Sequence, residues 1–215
     1  TPGRAVAAST QQHLTTGEYA RLLLNPVVPL MGLSYFSVKF LRYALDSWLP
    51  TFLSLKGMDV GRAAYYSAIF DVAGVAGAVV AGFAIDRFFR GRWELVCLLM
   101  GLGLVGGYVA VLVYGANPVA LAFCFGLVGF MLYGPDTLLA GAGAVAVAGQ
   151  RNGVAIAGLV NGIASLGPVL QEPINGRLLA GASPEVAIRN SNLLGLSMSV
   201  TFVVLMLGIS LRIVY

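Results

Sequence analysis

Apolar residues fall into six long runs along this chain, and polar residues collect in the stretches between them. The runs cover about residues 27–53, 63–85, 94–114, 119–140, 153–179 and 191–213. Each is long enough to cross a bilayer as a helix, which takes roughly 20 residues. The spacers carry the expected punctuation. Asp86-Arg87-Phe88-Phe89-Arg90-Gly91-Arg92 is a charged turn, and Gly115-Ala116-Asn117-Pro118 is a tight one. The connection between the fourth and fifth runs is Gly-rich and leaves their edges loosely defined. Residues 1–24 are polar to mixed and read as a linker, in which Thr15 to Leu24 fits a short interfacial helix with Thr16 as its cap and Glu18 in its first turn. Residues 25–215 then form a six-helix transmembrane bundle.

Composition sharpens this. Of 215 residues, 58% are hydrophobic and only 10% charged, whereas a soluble domain carries about 25% charged residues. The 28 glycines suit close helix approach in lipid. The formal charge of +4 comes from basic residues scattered at helix ends, without the clustered stripe of a nucleic-acid surface. Cys97 and Cys124 lie inside apolar runs without metal-ligand spacing and read as packing residues. The one histidine, His13, is in the polar linker. No Gly-rich phosphate loop, Ser-His-Asp set or metal-ligand cluster appears, so nothing points to an enzyme, a metal or a cofactor. With the amino end in the cytoplasm, that side takes Arg4, Arg21, Arg87, Arg90, Arg92, Arg151 and Arg212. The other side takes Lys56, Arg62, Arg177 and Arg189. The bias favours cytoplasmic termini.

The first run breaks the rule that charge stays outside. Lys39, Arg42 and Asp46 stand at i, i+3 and i+7, one polar stripe on an otherwise apolar helix. A charge at the centre of a membrane helix costs at least about 2.5–3.5 kcal/mol on insertion scales, so it belongs against protein or a wet cavity. The planar fork of arginine holds a phosphate or carboxylate through two parallel bonds, and lysine adds a point charge. The plainer alternative is an intrahelical Arg42–Asp46 pair with Lys39 snorkelling. Snorkelling is difficult from about 12 residues inside the run, close to 18 Å at the helical rise. Tyr43 adjoins Arg42 but points about 100° away from it, which makes it a second-rank ligand.

Asp71 lies in the second run beside Gly74 and Gly77, and needs a cation; Lys39 or Arg42 would serve, in a pair that an entering anion must compete with or in a permanent ion pair. Asn161 is the deepest polar residue of the fifth run and fits either a substrate hydroxyl or a neighbouring helix. Gly134-Pro135-Asp136 interrupts the fourth run, and Asp136 reads as near its cytoplasmic end rather than in the cavity.

These residues resemble a known family. Leu41-Arg42-Tyr43-Ala44-Leu45-Asp46-Ser47-Trp48-Leu49-Pro50-Thr51-Phe52-Leu53 is similar to the seventh transmembrane helix of the organophosphate:phosphate antiporters of the major facilitator superfamily. The Arg-to-Trp and Arg-to-Pro spacings agree with that pattern, while the acid is displaced by one residue. Ala64-Tyr65-Tyr66, Asp71, Ala73-Gly74, Gly77, Gly82, Asp86-Arg87 and Arg90-Gly91 resemble the eighth helix and its loop, with Asp71 where the family commonly has a glutamate. Tyr133-Gly134-Pro135 resembles the tenth helix, and residues 153–176 the eleventh.

The resemblance implies an all-α membrane protein, the carboxyl-terminal half (helices 7–12) of a twelve-helix transporter built from inverted repeats. Its partner would be an amino-terminal six-helix half, on the same or a separate chain. It implies exchange of an organic phosphate ester, such as glycerol 3-phosphate or a sugar phosphate, for inorganic phosphate. Arg42 would grip phosphoryl oxygens with Lys39, Asn161 and Tyr43 beside it. Asp71 and Asp46 would couple charge, and Gly82, Asp86, Arg87 and Arg90 would brace the cytoplasmic gate. Lys39 is closer to the sugar-phosphate exchangers, which carry a basic residue near this position. The same fold also suits a sugar-phosphate receptor that does not transport, or a facilitator for another anion. A bacterial inner membrane is the expected setting, with an organelle membrane as the alternative.

Overall fold

A computed structural model describes Gly17 and residues 22–214, apart from the side chains of Gln150, Arg151 and Val214. Most of the linker, and with it the interfacial helix expected at Thr15 to Leu24, lies outside the described residues; residues 22–24 are helical. Among the described residues the chain forms seven α-helices and one π-helical turn, and no strand. They are α1 (Val27–Leu55), α2 (Val60–Arg87), α3 (Trp93–Tyr114), α4 (Pro118–Leu138), the π turn (Leu139–Gly143), α5 (Ala144–Ala164), α6 (Leu166–Leu179) and α7 (Pro184–Val214).

Local chemistry sets several of the boundaries. Asp59 caps α2 by accepting from the backbone N–H groups of Gly61 and Arg62 at 3.1 and 3.4 Å. Asn117 caps α4 in the same way, from Val119 and Ala120 at 2.8 and 3.2 Å, with Pro118 at the first helical position. The turn after α2 closes through Gly91, whose φ of 83° suits glycine.

The fourth run differs most from expectation. Pro135 does not interrupt its helix. The Thr137 hydroxyl lies 2.9 Å from the Gly134 carbonyl and 3.2 Å from that of Tyr133, so it can donate to this stretch of backbone. The chain then passes through the π turn into α5 and stays helical up to Gly149, where φ 71° and ψ 170° break the rod. The apolar span is therefore Pro118–Gly149, 32 residues, rather than a run ending near Ala140. The small residues that look like a loop are packed: a Cβ on Gly143 would meet Met31 and Trp93.

Among the described residues, five helical spans are long and apolar enough to cross a membrane: Val60–Arg87, Trp93–Tyr114, Pro118–Gly149, Asn152–Leu179 and Pro184–Ile213. Helix α1, at 29 residues, has the length but not the apolarity, because it carries Lys39, Arg42 and Asp46. It is also central, packing against α2, α4, α5, α6 and α7. One side of it is core, with Leu41, Leu45, Leu49 and Leu53 all buried. The chain is thus a multi-pass, all-α membrane unit with a charge-bearing helix in the middle.

Glycines bring two of the outer helices unusually close. A Cβ on Gly77 would overlap the backbone carbonyl of Phe130, and one on Gly129 would overlap that of Phe70. Gly126 faces Ile69 in the same seam. Helices α2 and α4 therefore meet backbone to backbone, as small residues permit in lipid.

Candidate anion-binding site

The α2–α4 seam determines what lies under Arg42. Gly74 leaves room for the ring of Tyr133, which would sit 2.6 Å from a Cβ at that position. Held there, Tyr133 donates its hydroxyl to Asp71 Oδ1 at 2.6 Å. The Arg42 guanidinium carbon lies over the same ring, 4.3 Å from its centroid, close enough for a cation–π interaction. Asp136, one turn further along α4, accepts from Arg42 Nη1 at 2.5 Å. Asp46 is the third carboxylate, 3.9 Å from Arg42 Nε, a charge contact too long for a hydrogen bond.

Lys39 forms the neighbouring half of the site. Its Nζ donates to Asn161 Oδ1 at 2.6 Å and lies 5.1 Å from the centre of the Tyr35 ring. Lys39, half-buried, is therefore tied to the exposed Asn161 of α5.

The geometry brings together Arg42, Lys39, Asp46, Asn161 and, through Tyr133, Asp71. Tyr43 is 42% exposed at the edge and has no hydrogen-bond partner among the described residues. The direct pair expected between Asp71 and a cation is not made. Tyr133 is interposed, its ring against Gly74 and its hydroxyl on Asp71, and Asp136 takes the pairing instead. Asp136 also corrects the sequence reading on depth. With the helix continuing to Gly149, it is mid-span and 93% buried. The sequence pattern puts Asp136 outside the cavity and gives Tyr133 no role, yet both are in the cluster.

Gly82, Asp86, Arg87 and Arg90 are remote from this cluster, at the end of α2 and in its turn. Nothing lies within 4 Å of a Cβ on Gly82, and Asp86, Arg87 and Arg90 are exposed without an ion-pair partner among the described residues. The pair made in this turn is Arg92 Nε to Glu94 Oε1, at 3.0 Å, with Glu94 buried at the start of α3. Gln171, Glu172 and Asn175 satisfy one another on α6: Gln171 donates to Glu172 at 2.7 Å and Asn175 to Gln171 at 3.3 Å.

Two buried polar atoms in the cluster have no partner among the described residues, Arg42 Nε and Asp136 Oδ1. Buried polar groups are nearly always paired, so such atoms mark a place where something further binds or moves. Arg42 keeps a free donor on a side chain that is 32% exposed. The arrangement can take up an anion at Arg42, provided Asp136 lets go.

No family model matches the chain. It is 29% identical over 148 residues to the glycerol-3-phosphate transporter of Bacillus subtilis (strain 168), a match covering 66% of this chain and 32% of that protein. It is 32% identical over 125 residues to the membrane sensor protein UhpC of Salmonella typhimurium, covering 57% and 28%. A shorter match, 36% over 95 residues, covers 43% of the chain and 20% of the 4-hydroxybenzoate transporter PcaK of Acinetobacter baylyi. The matched stretch is thus about a third of the length of the first two relatives. The names of the first two relatives agree with the resemblance to the organophosphate:phosphate antiporters of the major facilitator superfamily that Arg42, Trp48 and Pro50 carry.

Proposed function

Proceeding from that resemblance, we propose that this chain is the carboxyl-terminal half of a secondary transporter that exchanges an organic phosphate ester for inorganic phosphate by alternating access. The supporting observation is the mid-helix Arg42, held over Tyr133 with its Nε free, and Lys39 one turn away. Arginine takes two phosphoryl oxygens at once, and the lysine adds charge for a dianion. Asn161, already on Lys39, is placed for a hydroxyl of the ester. Asp136, rather than Asp71, is the internal competitor that an entering phosphate displaces. Asp71 acts at one remove, by orienting Tyr133. Without substrate Arg42 is neutralised from within by Asp136, and the carrier crosses loaded, with an anion in the competitor's place.

The other half of the cavity belongs to an amino-terminal six-helix bundle, on the same or a separate chain. Asp86, Arg87 and Arg90 have no ion-pair partner among the described residues, which fits a gate braced across the two halves. The setting is a bacterial inner membrane with cytoplasmic termini.

A second reading rests on the aromatic-acid relatives. The same Arg42 would hold a carboxylate, with Tyr35 and Tyr133 flanking a ring. The test is flux. The full-length protein in phosphate-loaded vesicles should release labelled phosphate when glycerol 3-phosphate or glucose 6-phosphate is added outside, and Arg42→Ala should not. Uptake of 4-hydroxybenzoate that phosphate fails to inhibit would replace the phosphate reading. Ester binding without any efflux would make the protein a sensor.

A further inference from the structure

Three of the apolar spans end around one cavity. Trp93 opens its span, Ile213 closes another, and Ala146 is close to the end of a third. They line a cavity of about 380 Å³ together with Arg90, Gly91, Arg92 and the buried Glu94. The cavity is therefore at a membrane boundary, apolar where the spans end and basic in the turn beyond them. Its arginines have donors to spare. Glu94, 3% exposed at the start of α3, accepts from Arg92 Nε at 3.0 Å. That bond fixes the guanidinium by one edge and leaves both terminal nitrogens without a partner among the described residues. Arg90 has no ion-pair partner among them either. One carboxylate against two arginines leaves the cavity positive. Arg90 also holds φ 51°, a left-handed conformation that a residue with a Cβ adopts at a cost. Apolar surface leads away along the flanking helices. On α7, Val200, Val204, Leu207 and Leu211 are exposed at i, i+4, i+7 and i+11, one stripe that stops just short of Ile213. On α3, Leu99 and Leu102 are exposed beyond Trp93.

We propose that this cavity holds the headgroup phosphate of an anionic phospholipid between Arg90 and Arg92, with the acyl chains along α3 and α7. A guanidinium donates two parallel bonds to phosphate oxygens, and Arg92 keeps its terminal nitrogens available for them. Basic pockets between spanning helices suit anionic headgroups, and in the orientation proposed above this end faces the leaflet whose anionic lipids attract basic segments. A free phosphate ion would use the arginines but gain nothing from Trp93, Ala146, Ile213 or the apolar stripes. A lipid uses both. The inference goes beyond the transport reading and does not depend on which anion Arg42 takes. It gives Arg90 to the lipid, and narrows the proposed gate to Gly82, Asp86 and Arg87.

The experiment counts bound lipid. The full-length protein, delipidated in neutral detergent, is titrated with phosphatidylglycerol or phosphatidylcholine and weighed by native mass spectrometry. Wild type should retain phosphatidylglycerol at concentrations where phosphatidylcholine is not retained. Arg90→Gln should weaken that binding by about 10-fold, as loss of a charged hydrogen bond does. Arg92→Gln alone would strand Glu94, so it is made together with Glu94→Gln, and the pair should weaken binding by a similar factor. Arg90→Gln removes no ion pair among the described residues, and decides even where the paired variant fails to fold. Arg177→Gln, near the other end of the bundle, should bind as wild type does. Equal retention of the two lipids overturns the inference. So does a preference for phosphatidylglycerol that survives Arg90→Gln and the paired variant. Inorganic phosphate, titrated calorimetrically, tests the other source. Phosphate binding that is lost in Arg90→Gln but kept in Arg42→Ala, without a lipid preference, makes the cavity a free-phosphate site and overturns the lipid.

Discussion

Arg42 and Asp136 are 94 positions apart in the chain, yet Arg42 Nη1 donates to Asp136 Oδ2 at 2.5 Å in the middle of the bundle. Each has a second polar atom without a partner. The pair therefore joins α1 to α4 but leaves both residues with capacity to spare. Removing one partner strands the other. Arg42→Ala should lower stability by about 1–3 kcal/mol, and Asp136→Ala by a similar amount. The double variant should lose clearly less than the two together. Thermal unfolding of the four proteins in detergent measures the coupling, and strict additivity would mean that the pair contributes nothing.

Tyr133 supports Arg42 in two ways that can be separated. Its ring lies beneath the guanidinium and its hydroxyl fixes Asp71. Tyr133→Phe keeps the ring, and should cost about 1 kcal/mol of stability for the lost hydrogen bond while anion affinity falls little. Tyr133→Ala removes the platform and opens a hole beside Gly74, so both stability and affinity should fall further. Equal loss of anion affinity in the two variants would assign the whole effect to Asp71.

Much of this arrangement is visible in the chain itself. The i, i+3, i+7 placement of Lys39, Arg42 and Asp46 requires only helical periodicity, and the Asn117-Pro118 cap only local chemistry. Which acid meets Arg42 is a different kind of question. It depends on how α2 is rotated against α4, and that is set by two glycines against backbone carbonyls, Gly77 on Phe130 and Gly129 on Phe70, whose partnership no local pattern reveals. Asp136 was obscured for a related reason. The alternating Ala and Gly after Leu139 look like a loop, whereas they continue the helix because Gly143 fits against Met31 and Trp93. The available signal was a carboxylate just beyond a proline, inside an apolar run, with no helix start for it to cap.

The glycine seam makes its own prediction. Gly77→Ala places a methyl group into the Phe130 carbonyl and must force α2 from α4, costing about 1–3 kcal/mol as overpacking does. Because Tyr133 and Asp71 span the same seam, anion affinity should fall with stability. Gly82→Ala is the contrast. Nothing surrounds that position in this half, and alanine is about 1 kcal/mol better than glycine inside a helix. Thermal stability should hold or rise slightly. Flux lost from a stable Gly82→Ala protein would place the constraint on the other half of the transporter, at the gate.

Lys39 discriminates between the anions the site is proposed to carry. Among the described residues its ammonium is bonded only to the neutral Asn161 and lies near the Tyr35 ring, and no carboxylate there pairs with it. A phosphate dianion gains from a second cation beyond Arg42, whereas a monocarboxylate is largely served by Arg42 alone. Two unit charges about 4 Å apart interact by roughly 4 kcal/mol at an effective dielectric constant near 20, before desolvation is subtracted. Lys39→Met should therefore weaken glycerol 3-phosphate by roughly 10- to 100-fold and 4-hydroxybenzoate much less. Lys39→Arg should preserve the charge and most of the ester affinity. Asn161→Asp should mimic the loss of Lys39, since a carboxylate at that position would hold the ammonium against an incoming anion. Binding of both anions to wild type, Lys39→Met, Lys39→Arg and Asn161→Asp decides the matter. Equal weakening of ester and carboxylate in Lys39→Met would reduce Lys39 to a structural tie between α1 and α5, and leave Arg42 as the sole anion holder of this half.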